Sequence, residues 1–161
     1  MNKRYVIAAA AVAMLAVIAA AFALDCVRLA AQSHRRVELA DQELVKHEQR
    51  LVKLLTGSAA LSPEVQSAIT AYEAPASPAA RHAAFDQLLA AFRQSMEHAV
   101  DPTNALDRKF MDDIAGAINR REIAEAPYDA EMSEYQRYLS GPRGTVARWL
   151  SPQVRAERNP R

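Results

Sequence analysis

Glycine and cysteine are scarce in this sequence, and each shortage excludes a class of function. Only 4 of the 161 residues are glycine, and no Gly-x-x-x-x-Gly-Lys-Ser/Thr or Gly-x-Gly-x-x-Gly run occurs, so the loops that cradle phosphate groups in nucleotide-binding proteins are missing. A single cysteine, Cys26, excludes an internal disulfide and a zinc site made of cysteines.

An excess of either charge is also lacking. Lysine and arginine total 20, and aspartate and glutamate total 19. Proteins that bind nucleic acids usually carry a strong basic excess, so this balance predicts no nucleic-acid partner.

The residue spacings that catalysis and metal binding require are absent as well. His47-Glu48 begins like the zinc motif His-Glu-x-x-His, but Leu51 stands where the second histidine would be. No Glu-x-x-His pair of the di-iron type occurs. His47 has Glu43 four residues before it, and we interpret it as a half-buried, satisfied histidine. The sequence thus predicts no cofactor, no metal and no enzymatic activity.

The N-terminus has the pattern of a membrane signal. A short basic head that contains Lys3 and Arg4 precedes Tyr5–Leu24, 20 residues without charge, proline or glycine. At 1.5 Å per residue, a helix of this length spans a bilayer core of about 30 Å. We therefore expect a membrane partner through residues 5–24.

Two outcomes for this segment remain open. Its length favours a permanent anchor, because the apolar part of a cleaved signal is usually shorter, whereas Ala21-Phe22-Ala23 has the small-x-small form of a cleavage site. Orientation follows weakly from the basic residues, which occur on both sides of the segment. The very short N-terminal tail favours a domain outside the cytoplasm of a bacterial inner (plasma) membrane.

Helical periodicity dominates the rest of the chain. From about Leu24 to Leu55, apolar residues recur at spacings of three and four, and the charged residues between them, Glu48 included, are interpreted as a solvated face. Ser62-Pro63 and Ser77-Pro78 have the pattern of helix starts. Pro127 predicts a kink or break near Ile123.

These segments predict an all-α fold: an N-terminal transmembrane helix, residues 1–24, followed by an antiparallel bundle of about four helices, two long and two shorter, residues 25–142. Residues 143–161 are expected to form a basic, partly disordered tail. The last long helix carries acidic and basic residues from Asp107 to Glu122, Arg121 among them, which we interpret as a salt-bridged helix surface.

Part of the last long helix resembles the LemA family. The residues that carry the resemblance are Leu106–Arg120, Ile123-Ala124, Tyr128-Asp129, Tyr135-Gln136, Leu139, Pro142 and Val146-Ala147. The short head, single apolar segment and long charged helix follow the same plan. The chain departs from the family pattern at Asp129 and Gln136, where asparagine is usual, and at Pro127. The resemblance implies a membrane-anchored, antiparallel long-helix bundle and no established reaction.

Two groups of residues are candidate sites. Asn119, Arg120, Tyr128 and Tyr135 are expected to act structurally, through hydrogen bonds between helices that fix their register. The tail holds five arginines against one glutamate, and Arg143, Arg148, Trp149 and Arg155 suit an anionic membrane surface or an acidic partner. The alternative is that Val146, Trp149 and Leu150 fold back on the bundle.

The sequence as a whole predicts a membrane-anchored interaction or scaffolding module with an unknown protein partner. The alternative function is a cleaved, exported soluble binding or stress-related protein. The oligomeric state is left open.

Overall fold

The computed structural model describes residues 3–57, 62–75, 77–96, 104–152 and 154. Within these ranges the chain is helical and contains no strand. Five helices follow one another: α1 (Lys3–Thr56), α2 (Pro63–Glu73), α3 (Pro78–Met96), α4 (Ala105–Ser140) and α5 (Pro142–Leu150). The all-α prediction is confirmed, and the apolar segment continues without interruption into the long charged helix.

Side-chain caps begin three of the helices, as the sequence predicts for the two that start at Ser-Pro pairs. The Ser62 hydroxyl accepts a hydrogen bond from the Val65 amide at 3.4 Å, and the Ser77 hydroxyl accepts from Ala80 at 3.2 Å. The Asn104 side chain accepts from Leu106 at the start of α4. Each cap satisfies one amide that the first turn of a helix leaves without a partner.

Of the kink or break expected near Ile123, the break does not occur, because α4 continues through Pro127 as one helix of 36 residues. Proline removes one hydrogen bond and crowds the preceding turn, but helical residues on both sides maintain the segment. The chain divides into two compact units at this point: residues 41–127 form one, which we call the inner unit, and residues 1–40 with 128–161 form the other, the terminal unit.

The inner unit buries one apolar core to which all four of its helical segments contribute. Leu51 and Leu55 come from α1, Ile69 from α2, Phe85 from α3 and Ile114 from α4. The stripe predicted on α1 includes Leu51 of this core. Helix α2 packs against α3, and the rings of Tyr72 and Phe85 meet edge to face with their centres 5.7 Å apart.

The terminal unit is held together by small residues. Cys26 and Ala30 of α1 pack with Ala147 of α5 and with Val154. The Tyr138 hydroxyl donates a hydrogen bond of 2.6 Å to the Cys26 carbonyl oxygen, and burial raises the pKa of Tyr138 above its usual range.

Helix α5 is the element that sequence periodicity missed, since residues 143–150 were assigned to the tail. It begins after Gly141, and Gly144 lies against the end of α4. A Cβ atom at Gly144 would meet the Tyr138 carbonyl oxygen, and would lie 2.5 Å from the Leu139 Cα and 2.7 Å from the Leu139 carbonyl oxygen. Only glycine permits this approach of two backbones.

We predict that Gly144→Ala displaces α5 from α4, because the clash is with backbone atoms. The cost should be about 1–3 kcal/mol, the usual range for overpacking, and should appear as faster amide hydrogen exchange across residues 142–150 in the full-length protein.

The matched control is Gly116→Ala, where the added methyl group would meet only the flexible Arg120 guanidinium at 3.3 Å. Alanine is the better helix former by about 1 kcal/mol, so this variant should be neutral or more stable. Equal exchange in Gly144→Ala and the wild-type protein would show that α5 does not depend on this contact.

Candidate functional site

A buried carboxylate, Glu48, lies at the centre of a polar network in the inner unit. Its side chain is 0% exposed, although its charge predicted a place on a solvated face. That assignment was wrong because Glu48 follows Leu44 by four residues and precedes Leu51 by three, which places it on the apolar stripe itself. A polar residue at core spacing is the signal that identifies it.

His82 of α3 lies between two carboxylates of α1. Its Nδ1 is 2.8 Å from a Glu48 oxygen, and its Nε2 is 2.9 Å from an Asp41 oxygen. A protonated imidazole donates at both nitrogens and so satisfies both acids. Hydrogen bonding to Glu48 raises the pKa of His82 above its usual value, against the opposing effect of burial, and Asp41 adds to the rise.

Two further side chains reach Glu48 from other helices. The Tyr72 hydroxyl of α2 donates to the second Glu48 oxygen at 3.3 Å. Burial and the nearby Glu48 charge raise the pKa of Tyr72 far above its usual value, so this group remains a neutral donor. On α4, the Arg121 guanidinium is 3.9 Å from Glu48. The buried acid is thus contacted from α2, α3 and α4.

Arg121 is itself buried, which corrects its assignment to an exposed salt-bridged surface. Its guanidinium pairs with Glu125 one turn later and with Asp86 of α3 at 3.2 Å, and it lies over the Phe85 ring at 5.2 Å. Arg121 follows Ala117 by four residues, so it also continues an apolar stripe.

Arg81 forms the outer edge of the network beside an open cleft. Its Nη2 donates to both Asp41 oxygens, at 2.9 and 3.2 Å, whereas its Nε is buried without a hydrogen-bond partner. The cleft has a volume of about 350 Å³. Its lining is formed by Gln49, Val52, Lys53, Tyr72, Glu73, Pro75 and Arg81.

The predicted site residues do not form a single cluster. Asn119 and Arg120 are exposed on α4 of the inner unit, and the hydrogen bonds between helices expected of them stay a prediction. Tyr128 and Tyr135 belong to the terminal unit. Tyr135 is buried, with its ring centre 5.6 Å from that of His34.

The predicted tail residues lie in or beyond α5. Trp149 is 81% exposed, so it does not fold back on the core, although Val146 does pack there. Arg143 and Arg148 are on α5, and Arg155 lies outside the described residues. His47 is largely buried and pairs with Glu43 at 3.4 Å, as expected of a satisfied histidine.

The network is predicted to depend on the Glu48 charge. Glu48→Gln would leave the His82 and Arg121 cations without their buried counter-charge, and loss of one partner from a buried ion pair typically costs about 3–5 kcal/mol. Urea unfolding followed by circular dichroism should show this loss. Glu43→Gln is the control: Glu43 is exposed and pairs with Lys46 and His47 on the same helix, so its loss should cost at most about 1 kcal/mol.

Stability of the inner unit is predicted to fall as pH rises. The folded pKa of His82 lies above its unfolded value of 6.5, so the folded state binds the proton more tightly. The resulting stabilisation is complete below pH 6.5 and is lost as pH rises through the higher folded pKa.

Urea midpoints measured between pH 5.5 and 9 test this dependence. His82→Gln should flatten the pH dependence of the urea midpoint across this range, because the residue at position 82 then no longer titrates beside Glu48 and Asp41. A wild-type midpoint that stays constant or rises across this range would contradict the role assigned to His82.

Comparison with known proteins finds no relative of this chain. No family model, curated protein or solved structure matches this chain. The resemblance to the LemA family therefore stays a prediction.

Proposed function

We propose that this protein is a non-catalytic interaction module, held at a membrane by residues 5–24. The observation that carries the proposal is the exposure of the apolar end of α1. One helix of the described chain is long and apolar enough to cross a membrane, and its most apolar 18-residue stretch has a mean hydropathy of 2.7 with none of its residues buried. A core helix of a soluble protein would be mostly covered.

The apolar side chains of this segment point in all directions around the helix. Examples are Ile7, Leu15 and Val17, each more than 60% exposed. On a protein surrounded by water, exposed apolar surface on this scale marks a site of contact with a membrane or with another protein. A helix satisfies its own backbone hydrogen bonds, so a bilayer can take up this segment without further partners.

The non-catalytic part of the proposal is supported by the polar network. The acids and bases that could perform proton transfer bind one another: both nitrogens of His82 contact carboxylates, and Glu48 is fully buried. A general base must reach a substrate directly or through one water. The arrangement fits a structural role, and the exposed helix faces are left for an unidentified protein partner.

The proposed location is a bacterial plasma membrane, with the inner unit on the extracytoplasmic side. Lys3 and Arg4 directly before an apolar segment of signal-like character support this orientation. The resemblance to the LemA family implies the same anchored plan.

The competing function is a cleaved, exported helical protein. The same apolar segment satisfies the requirements of a signal sequence near the N-terminus, and Ala21 and Ala23 are the small residues of a cleavage site. In that case the mature protein begins at Leu24 and works free of the membrane.

Intact mass and carbonate extraction of the membrane fraction distinguish these functions. We expect a full-length chain that stays in the carbonate-washed pellet, because about 20 apolar residues hold a helix in the bilayer. Ala21→Leu keeps the apolar length and removes one small residue of the cleavage site. This variant should match the wild-type protein if no cleavage occurs.

A soluble product that begins at Leu24, and that Ala21→Leu converts to the full-length mass, would overturn the anchored function and establish the exported one.

A further inference from the structure

A groove in the terminal unit joins α5 to the end of the apolar segment of α1. Ala23 lines it from α1, and Thr145, Val146, Trp149 and Leu150 line it from α5. Its volume is about 310 Å³. Apart from the threonine, every side chain in this lining is apolar.

The packing of α5 fixes which of its residues point outward. Gly144 and Ala147 are buried, three residues apart on one face of the helix, and Gly144 lies in contact range of the α4 backbone. Trp149 follows Ala147 by two residues and so projects from the other side, 81% exposed. Leu150 beside it is 51% exposed. Because Gly144 and Ala147 are packed inward, α5 presents Trp149 and Leu150 outward.

The groove lies at a definite level along α1. Ala23 is the second-last residue of the charge-free stretch, and the first charge after it is Asp25. In an anchored chain this is where the hydrocarbon core gives way to the lipid headgroups. Tryptophan prefers this boundary, because its ring is apolar and its N–H needs a polar partner.

Charge complementarity indicates the same occupant. Arg143 and Arg148 lie on α5, and the Arg148 guanidinium donates to the Thr145 hydroxyl within the same helix. Basic residues next to an apolar surface attract the anionic headgroups of a membrane. The exposed apolar side chains of Phe22 and Leu24 continue the surface onto α1.

We propose that α5 is a second membrane contact, in which Trp149 and Leu150 enter the lipid interface beside α1 while Arg143 and Arg148 contact anionic headgroups. The proposal rests on the anchored function above. A single helix leaves the attached domain free to tilt on its tether, whereas a second contact fixes the terminal unit against the bilayer surface.

The fluorescence of Trp149 tests this contact without a label, because it is the only tryptophan in the chain. Full-length protein would be reconstituted into vesicles of phosphatidylcholine and phosphatidylglycerol whose acyl chains carry bromine, a contact quencher, either near the headgroup or near the bilayer centre. We expect loss of emission with the shallow bromine, a smaller loss with the deep one, and protection from aqueous iodide.

The charge contribution is tested by Arg143→Gln combined with Arg148→Gln. This double variant should lose part of the shallow quenching in anionic vesicles and change little in neutral ones. The matched control is Arg35→Gln with Arg36→Gln, which removes the same charge from exposed positions on α1, roughly 18 Å beyond Ala23 along the helix. The control should behave as the wild-type protein does.

Two results would overturn the proposal. Emission that bromine does not quench and iodide does would place Trp149 in water. Emission that bromine does not quench, but that loses its iodide sensitivity as the protein-to-lipid ratio rises, would assign the surface to a second copy of the chain. Either result in protein that resists carbonate extraction would leave the anchor intact, whereas loss of the protein from the vesicles would refute the anchor itself.

Discussion

The inner unit depends on the partners that compensate the buried charge of Glu48. Removing a carboxylate from water costs several kcal/mol, which only well-placed partners offset. Those partners come from three other helices: Tyr72 of α2, His82 of α3 and Arg121 of α4. Apolar contacts alone tolerate sliding of one helix along another, but a hydrogen-bonded charge does not. Glu48 therefore sets the register in which these helices pack.

Whereas the inner unit contains a buried charge with its partners, the terminal unit is held together by close packing of small side chains. Its core uses small side chains, Cys26, Ala30 and Ala147, with Gly144 beside them in close approach to α4. The described contacts here include a partly buried hydrogen bond between α4 and α1, from the Tyr138 hydroxyl to the Cys26 carbonyl oxygen. Close backbone packing of this kind needs no buried charge.

The sequence was most informative where the signals are local. Ser62 and Ser77 predicted helix starts, and the apolar stripe of α1 predicted core residues such as Leu51. Tertiary effects account for the errors. Pro127 did not break α4, and α5 was missed because it is short and is stabilised by contact with α4. Glu48 and Arg121 had core spacing, but their charge was read as evidence of exposure. The spacing of a charged residue along its helix can indicate that it is buried, but its partners on other helices are known only from the tertiary structure.

Both units depart from the usual rule that charged groups are exposed and apolar groups are buried. The inner unit has charges in its interior, each held by partners of opposite sign or by hydroxyl groups. The terminal unit presents an apolar helical segment with no buried residue, together with the exposed Trp149 and Leu150 on α5. A protein surrounded only by water gains nothing from that exposure. It becomes favourable if lipid is the solvent on that side, and the level of Ala23 along α1 marks where one solvent would replace the other.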